Sequence, residues 1–266
     1  LIQVIRCFAN KTVEHPEGSI DPIRDWDIIE NELIFRDLAV IENRLGKLKA
    51  KKKLTPEEET EKKLLDACFE CLLEERPLRS MELKPAEWRL LRGFSFVTSK
   101  PEILLLNLDD SQSDETKIPK WDELKKRADE QGVKLCSLYG SLEMDIAELE
   151  EEEAAAFTEG LDITEPGRER LIEEAYRVLG LISFFTCGPD EVRAWTLHDG
   201  DNAVDAAGAI HSDLARGFIR AQVVAFDDYK KHGSSFDECR KAGCLRLEGK
   251  EYLVKDGDII EIRFNV

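Results

Sequence analysis

The chain opens on Leu1-Ile2-Gln3-Val4-Ile5-Arg6-Cys7-Phe8, a mostly apolar run that predicts a strand of a buried sheet. A polar stretch over 10–19 follows. Asp21-Pro22 then supplies an N-cap and a proline suited to the first helical position. Ile34, Leu38, Ile41, Leu45 and Leu48 recur at alternating spacings of four and three, which predicts one long helix to about residue 53 with a heptad seam. Thr55-Pro56-Glu57-Glu58 opens a second helix through a capping box. Its apolar face is expected to carry Leu64, Leu65, Cys68, Phe69, Leu72 and Leu73. Two helices joined by a tight turn predict an antiparallel hairpin, and a third short helix is expected over 85–91.

Strand character returns over 96–106, where Ile103-Leu104-Leu105-Leu106 suits a strand buried on both faces. An amphipathic helix over 121–130 ends at Gln131-Gly132, and 133–138 reads as another buried strand. Strand, helix and strand at this spacing predict a βαβ unit and a parallel sheet, with the helix hairpin as an insertion. The acidic stretch 143–153 leads into a further helix, and 168–179 forms the next. Beyond 181 the pattern changes to strands over 192–197, 218–226, 245–247, 252–254 and 259–266, around a short Ala-rich helix at 203–210. Mixed strands around one helix suggest a small ubiquitin-like β-grasp module. The fold class is α/β, with segments 1–20 and 95–180 in one sheet domain, 21–94 as the helical insertion and 181–266 as the last module. A buried strand beginning at Leu1, with no Met before it, predicts an N-terminally truncated chain whose further strands lie upstream.

The net charge of -18 disfavours non-specific binding to duplex DNA. The charge is uneven: residues 1–100 sum to -1, 101–180 to -13 and 181–266 to -4. Arg44, Lys47, Lys49, Lys51, Lys52 and Lys53 crowd the tip of the hairpin, where they are either a solvated tip or a contact for RNA phosphates. Arg216, Phe218 and Arg220 combine charge with an aromatic, although alternation puts Phe218 in the core. The carboxylates of 148–153 read as a solvated helix start. Seven irregularly spaced cysteines and four scattered histidines argue against a disulfide framework or a zinc site. Buried structural thiols in a reducing cytoplasm are expected, with a redox role open for one or two. No apolar run approaches a membrane span.

Asn107-Leu108-Asp109-Asp110 lies just past a buried strand, at the edge where parallel sheets bind ligands. An amide followed three residues on by a carboxylate can read a purine base, but the same pattern makes an ordinary Asx-turn. Ser137 to Ser141 lies at the end of the next strand, where small residues admit a base or ribose to the backbone or simply form a loop. The sequence contains no G-x-x-x-x-G-K-[ST], so the triphosphate cradle and the Mg²⁺ hydroxyl ligand of a P-loop enzyme are absent from these residues. No catalytic residue and no metal ligand is assigned.

Asp21-Pro22-Ile23-Arg24-Asp25, the run from Gly188 through Thr196, Ala206 through Asp213, Arg216 through Ala221, and the ending Arg263-Phe264-Asn265-Val266 together resemble the Obg-like ATPase (YchF) family over essentially the whole chain. The resemblance implies a P-loop GTPase-type domain, a coiled-coil insertion and a C-terminal TGS domain. It also implies that the P-loop, both switch regions and the Mg²⁺ site lie upstream. It maps base contacts onto Asn107, the Leu108 backbone and Asp110, and a last base-contacting loop onto Tyr139, Gly140 and Ser141. Family members favour ATP over GTP through N-x-x-E. Here the fourth residue is Asp110, as in ordinary GTPases, and Tyr139 departs from the usual small-residue loop. Two functions follow as expectations. One is a cytoplasmic, monomeric, ribosome-associated ATPase or GTPase linked to translation or stress response, inactive as this segment alone. The other is a non-catalytic module that binds ribosome or ribosomal RNA through the TGS domain and hairpin.

Overall fold

Three parallel strands organise the first part of the chain: β1 (Ile2–Arg6), β2 (Ile103–Leu108) and β3 (Lys134–Tyr139), in that order across the sheet. Ile2 pairs with Ile103, and Leu104 with Leu135. These elements come from a computed structural model that describes residues 1–109, 115–150, 152–154, 156, 166–188 and 191–265. The chain divides into two units, Leu1–Glu174 and Ala175–Val266. The mixed α/β character and the parallel sheet agree with the expectation from sequence.

Between β1 and β2 run α1 (Pro22–Lys49), α2 (Pro56–Leu73) and α3 (Pro85–Leu91). Asp21 caps α1 by accepting from the Arg24 N–H, and Thr55 with Glu58 forms the capping box of α2. α1 has 28 residues, about 42 Å at 1.5 Å per residue. It stops at Lys49 rather than near 53: the Ala50 N–H still bonds the Gly46 carbonyl, but the Lys51 N–H bonds Leu48 three residues back, and the helical pattern ends there. Ile34, Ile41, Leu45 and Leu48 are buried against Leu64, Leu65, Cys68 and Leu72, with Leu38 partly buried beside them. Leu73 does not belong to this face. It is 55% exposed, and Cys71, one turn from Cys68 and two from Leu64, is buried instead. Both thiols of the C-x-x-C pair are therefore core groups, and burial pushes the Cys68 thiol up to about 11.

The strand expected over 96–106 begins only at Ile103. The backbone donors ahead of it are taken by a side chain instead of a neighbouring strand. Asp37 of α1, fully buried, accepts from the Val97 N–H at 3.1 Å, the Thr98 N–H at 2.8 Å and the Thr98 hydroxyl at 2.8 Å. A second polar junction lies nearby. Arg79 donates to Glu30 of α1 at 2.9 Å and also meets Glu102, the residue before β2. All three are nearly or fully buried. β2 leads to α4 (Trp121–Gln131), which ends at Gly132 in the left-handed conformation and returns the chain to β3. Then follow α5 (Gly140–Ala147) and α6 (Gly167–Val178).

The second unit holds a five-stranded mixed sheet of β4 (Leu181–Cys187), β5 (Val192–His198), β6 (Phe218–Ala225), β7 (Arg246–Glu248) and β8 (Asp258–Phe264). The strand order is β5-β4-β8-β6-β7, with β4 parallel to β8 and the other pairs antiparallel. α7 (Ala203–Ile210) packs Ala203, Ala206 and Ala207 against Phe184, Leu197, Phe218 and Ile260. Phe218 is a core residue, as its alternation implied. β4 was not expected, because Leu181–Cys187 shows no clean alternation. The strand expected over 252–254 is a single bridge, Asn202 to Leu253. The strand expected to reach 226 ends at Ala225, where α9 (Phe226–Lys231) begins; α8 (Ser212–Arg216) precedes it and α10 (Phe236–Ala242) follows. These three helices are too short for a periodic signal.

Among the described residues no helix is long and apolar enough to cross a membrane. No group of three or more His, Cys, Asp or Glu among them converges to hold a metal ion.

Glu102 gives a pH test. Burial raises its pKa from the ordinary 4.5 to about 7, and Glu30 beside it adds to the rise, while the shared Arg79 opposes it. Folding therefore takes up a proton that the unfolded chain releases above its ordinary pKa. Stability is expected to fall as pH rises from about 4.5 to about 7, by up to roughly 1 kcal/mol per pH unit. Urea unfolding across that range checks this, and Glu102→Gln is expected to flatten the slope.

Candidate functional site

The carboxyl ends of the three parallel strands lie side by side, since Arg6 pairs with Asn107 and Leu108 with Tyr139. Asn107 is held by its backbone and its side chain. Its carbonyl accepts from the Cys7 N–H at 2.9 Å, and its side-chain Oδ1 accepts from the Gly140 N–H at 3.0 Å. Gly140 is the first residue of α5, and the Tyr139 side chain before it makes no cap bond. Asn107 therefore caps α5 from the neighbouring strand, satisfying one of the donors a helix start leaves open. The approach is close: a Cβ on residue 140 would lie 2.8 Å from Asn107 Oδ1 and 3.2 Å from Nδ2, so a side chain here would push the Asn107 amide out of place. The two segments singled out from sequence, 107–110 and 139–141, thus meet through Asn107 and Gly140.

The remaining candidates are placed as follows. The Leu108 side chain is buried in the sheet core, which leaves only its backbone available to a ligand. Tyr139 and Gly140 are half-buried and Ser141 is exposed. Asp110 lies outside the described residues. The described part brings polar groups together at the strand ends. Asn107 retains its amide Nδ2–H₂ as a donor, and the α5 start presents backbone N–H groups beside a position with no side chain. Donors of this kind can pair with acceptor atoms of a ligand. The open cleft of about 610 Å³ in this unit is lined by Thr116, Ile118, Lys120, Trp121, Asp122 and Glu123 and contains none of these candidates.

Residues around the loop buttress it; Ser137 lies in the stretch singled out from sequence, while its partners Glu115 and Arg170, and the contact of Glu143 with Gly167 and Arg168, were missed. Ser137 donates its hydroxyl to Glu115 at 2.5 Å, and its carbonyl accepts from Arg170 at 2.8 Å. Glu143 accepts from the Gly167 N–H at 2.6 Å and the Arg168 N–H at 3.4 Å, so its carboxylate sits on the α6 N-terminus. A Cβ at Gly167 would also meet Glu143 and Leu138 at 2.8 Å. Arg168 and Arg170 put two cations at a helix start, against its dipole, and that was the available signal of nearby acceptors.

Comparisons with known proteins bear on the whole chain. Residues 181–265 match the YchF-GTPase C-terminal family, described as a protein of unknown function (DUF933). The "Ribosome-binding ATPase YchF" of Bacillus subtilis (strain 168) is 38% identical over 271 residues, spanning 100% of this chain and 73% of that protein. The protein of the same name from Haemophilus ducreyi is 37% identical over 264 residues, spanning 99% of this chain and 72% of that one. The chain belongs to the YchF family. The solved Schizosaccharomyces pombe YchF GTPase superposes with a TM-score of 0.82 at 31% identity, covering 98% of this chain and 71% of that chain.

The hairpin tip of this YchF chain is less open than its sequence suggests. Arg44 is engaged by Glu61 at 2.5 and 2.9 Å, and Lys51 by Glu58. Lys47, Lys49, Lys52 and Lys53 are exposed, and no ion pair engages them among the described residues.

Alanine normally favours a helix over glycine by about 1 kcal/mol. At residue 140 the clash with Asn107 is expected to reverse this, and Gly140→Ala should cost roughly 1–3 kcal/mol in thermal unfolding. In an Asn107→Ala background the same substitution should become neutral or stabilising, which isolates the contact as the cause.

Proposed function

We propose that this chain forms most of a ribosome-associated nucleoside triphosphatase, with the purine base held at the junction of Asn107 and Gly140. The observation that carries the reading is the Asn107 side chain bonded to the Gly140 N–H across two parallel strand ends. In it, Asn107, the Leu108 backbone and Asp110 read one side of the base, and Tyr139, Gly140 and Ser141 line the other. ATP is the favoured nucleotide and GTP the alternative. The names of the relatives include both ATPase and GTPase. A bound nucleotide would bring its own triphosphate and Mg²⁺, and the 266 residues contain no P-loop to hold them. What these residues supply is base recognition and a scaffold. The domain organisation proposed is a GTPase-type sheet domain from 1–20 and 95–180, a coiled-coil insertion at 21–94 and a TGS domain at 181–266. A cytoplasmic monomer acting in translation or a stress response fits this reading.

Docking on ribosomal RNA through the hairpin tip is favoured by four exposed lysines: Lys47 and Lys49 in the last turn of a helix about 42 Å long, and Lys52 and Lys53 in the turn that follows it. The relatives are named ribosome-binding.

Two outcomes are expected. In the full-length protein, Asp110→Glu should shift competition between ATP and GTP toward ATP, because the longer carboxylate no longer matches the guanine N–H pair; an unchanged ratio removes Asp110 from the reader role. Replacing Lys47, Lys49, Lys52 and Lys53 with Glu should weaken co-sedimentation with ribosomes at least tenfold and flatten its salt dependence. Binding equal to the parent's at every salt concentration would discard the tip as the contact.

A further inference from the structure

α10 ends in a tight reversal that brings two cysteines together. Gly243 takes the left-handed conformation, with φ of +77°, the Gly243 N–H bonds the Arg240 carbonyl at 3.2 Å, and the Cys244 N–H bonds the Cys239 carbonyl at 3.1 Å. That pair of bonds is a Schellman cap, the motif in which the residues at the two ends of the longer bond place their side chains in contact. Here both of those residues are cysteine. The Cys244 thiol lies 3.3 Å from the Cys239 carbonyl, and Cys239 points its own thiol toward the Asp228 carbonyl at 3.9 Å. Cys239 is fully buried, while Cys244 is half-buried and open to a reagent. Both are free thiols.

We propose that Cys239 and Cys244 are a redox-modification site that closes reversibly to a disulfide when a small-molecule disulfide such as oxidised glutathione is present. Cys244, the accessible member, reacts first. Its thiol loses a proton, and the thiolate attacks one sulfur of the oxidant. The oxidant's S–S bond breaks, and one thiolate leaves and takes up a proton. Cys239 then loses its proton and attacks the Cys244 sulfur, and the second thiolate leaves. Two protons and two electrons pass from the cysteines to the oxidant, which becomes two thiols. Burial, reinforced by the hydrogen bond with Cys244, pushes the Cys239 thiol up to about 11. That keeps it from reacting with bulk oxidant, and its place beside Cys244 in the cap is what lets it resolve a mixed disulfide there. Closure withdraws Cys239 from the Asp228 carbonyl of α9 and clamps the end of α10 covalently. In reducing compartments, disulfides of this kind are transient.

Arg240 and Lys241 lie between the two cysteines, so trypsin separates them. After treatment with oxidised glutathione, denaturing alkylation and tryptic digestion, peptides 232–240 and 242–246 are expected as one linked species that dithiothreitol splits. The number of alkylatable thiols should fall by two from seven. Cys187→Ser should leave the linked species unchanged, and Cys244→Ser should abolish it. Two separate peptides, each alkylated or each carrying glutathione, would overturn the proposal, as would linkage of either cysteine to Cys187.

Discussion

Arg79 ties the helical segment to the strand that follows it. Its guanidinium donates to Glu30 in α1 and meets Glu102 at the foot of β2, with almost no access to water. Two carboxylates share one cation, and burial keeps Glu102 protonated to higher pH than usual. The junction sits immediately before the first paired residue of β2. β1 and β2 pair directly, although about a hundred residues separate Ile2 from Ile103, and the excursion must return the chain at one height and one angle. Asp37 completes the fixation by binding the Val97 and Thr98 N–H groups. Removing either acid would leave buried donors or a buried cation uncompensated, which is costly in a way that removing a surface pair is not.

The fixed register has a chemical consequence at the other end of the strands. With β1, β2 and β3 aligned, Asn107 is opposite the Gly140 backbone and caps α5 across the sheet. A slip of one residue in β2 would turn Asn107 to the opposite face and bring Leu108 out of the core. The Asn107–Gly140 contact thus lies at the opposite end of β2 from the polar junction. Glu143 and Arg170 hold the loop beyond it through backbone groups of α6 and β3.

The acidity of the chain has a specific use in this unit. Several carboxylates in the acidic middle stretch act as hydrogen-bond acceptors for backbone and side-chain donors. Glu143 holds a helix start and Glu115 holds Ser137. The hairpin tip lost part of its apparent basicity for the same reason, since Arg44 and Lys51 are engaged by acids of α2.

The sequence by itself determined the helices with caps and periodic faces, the parallel strands, and the family, because those signals are local or are long exact motifs. Asp21-Pro22, the capping box at Thr55 and the heptad positions of α1 all specify structure within a few residues. It also pointed to Asn107 and to 139–141. Only the tertiary structure decided that Asn107 and Gly140 are bonded partners and that Cys71 rather than Leu73 faces the core. It alone showed that the segment before Ile103 is held by Asp37 instead of a neighbouring strand. Each of these depends on which distant groups are brought within hydrogen-bond or packing distance, and a one-dimensional pattern carries no such distances.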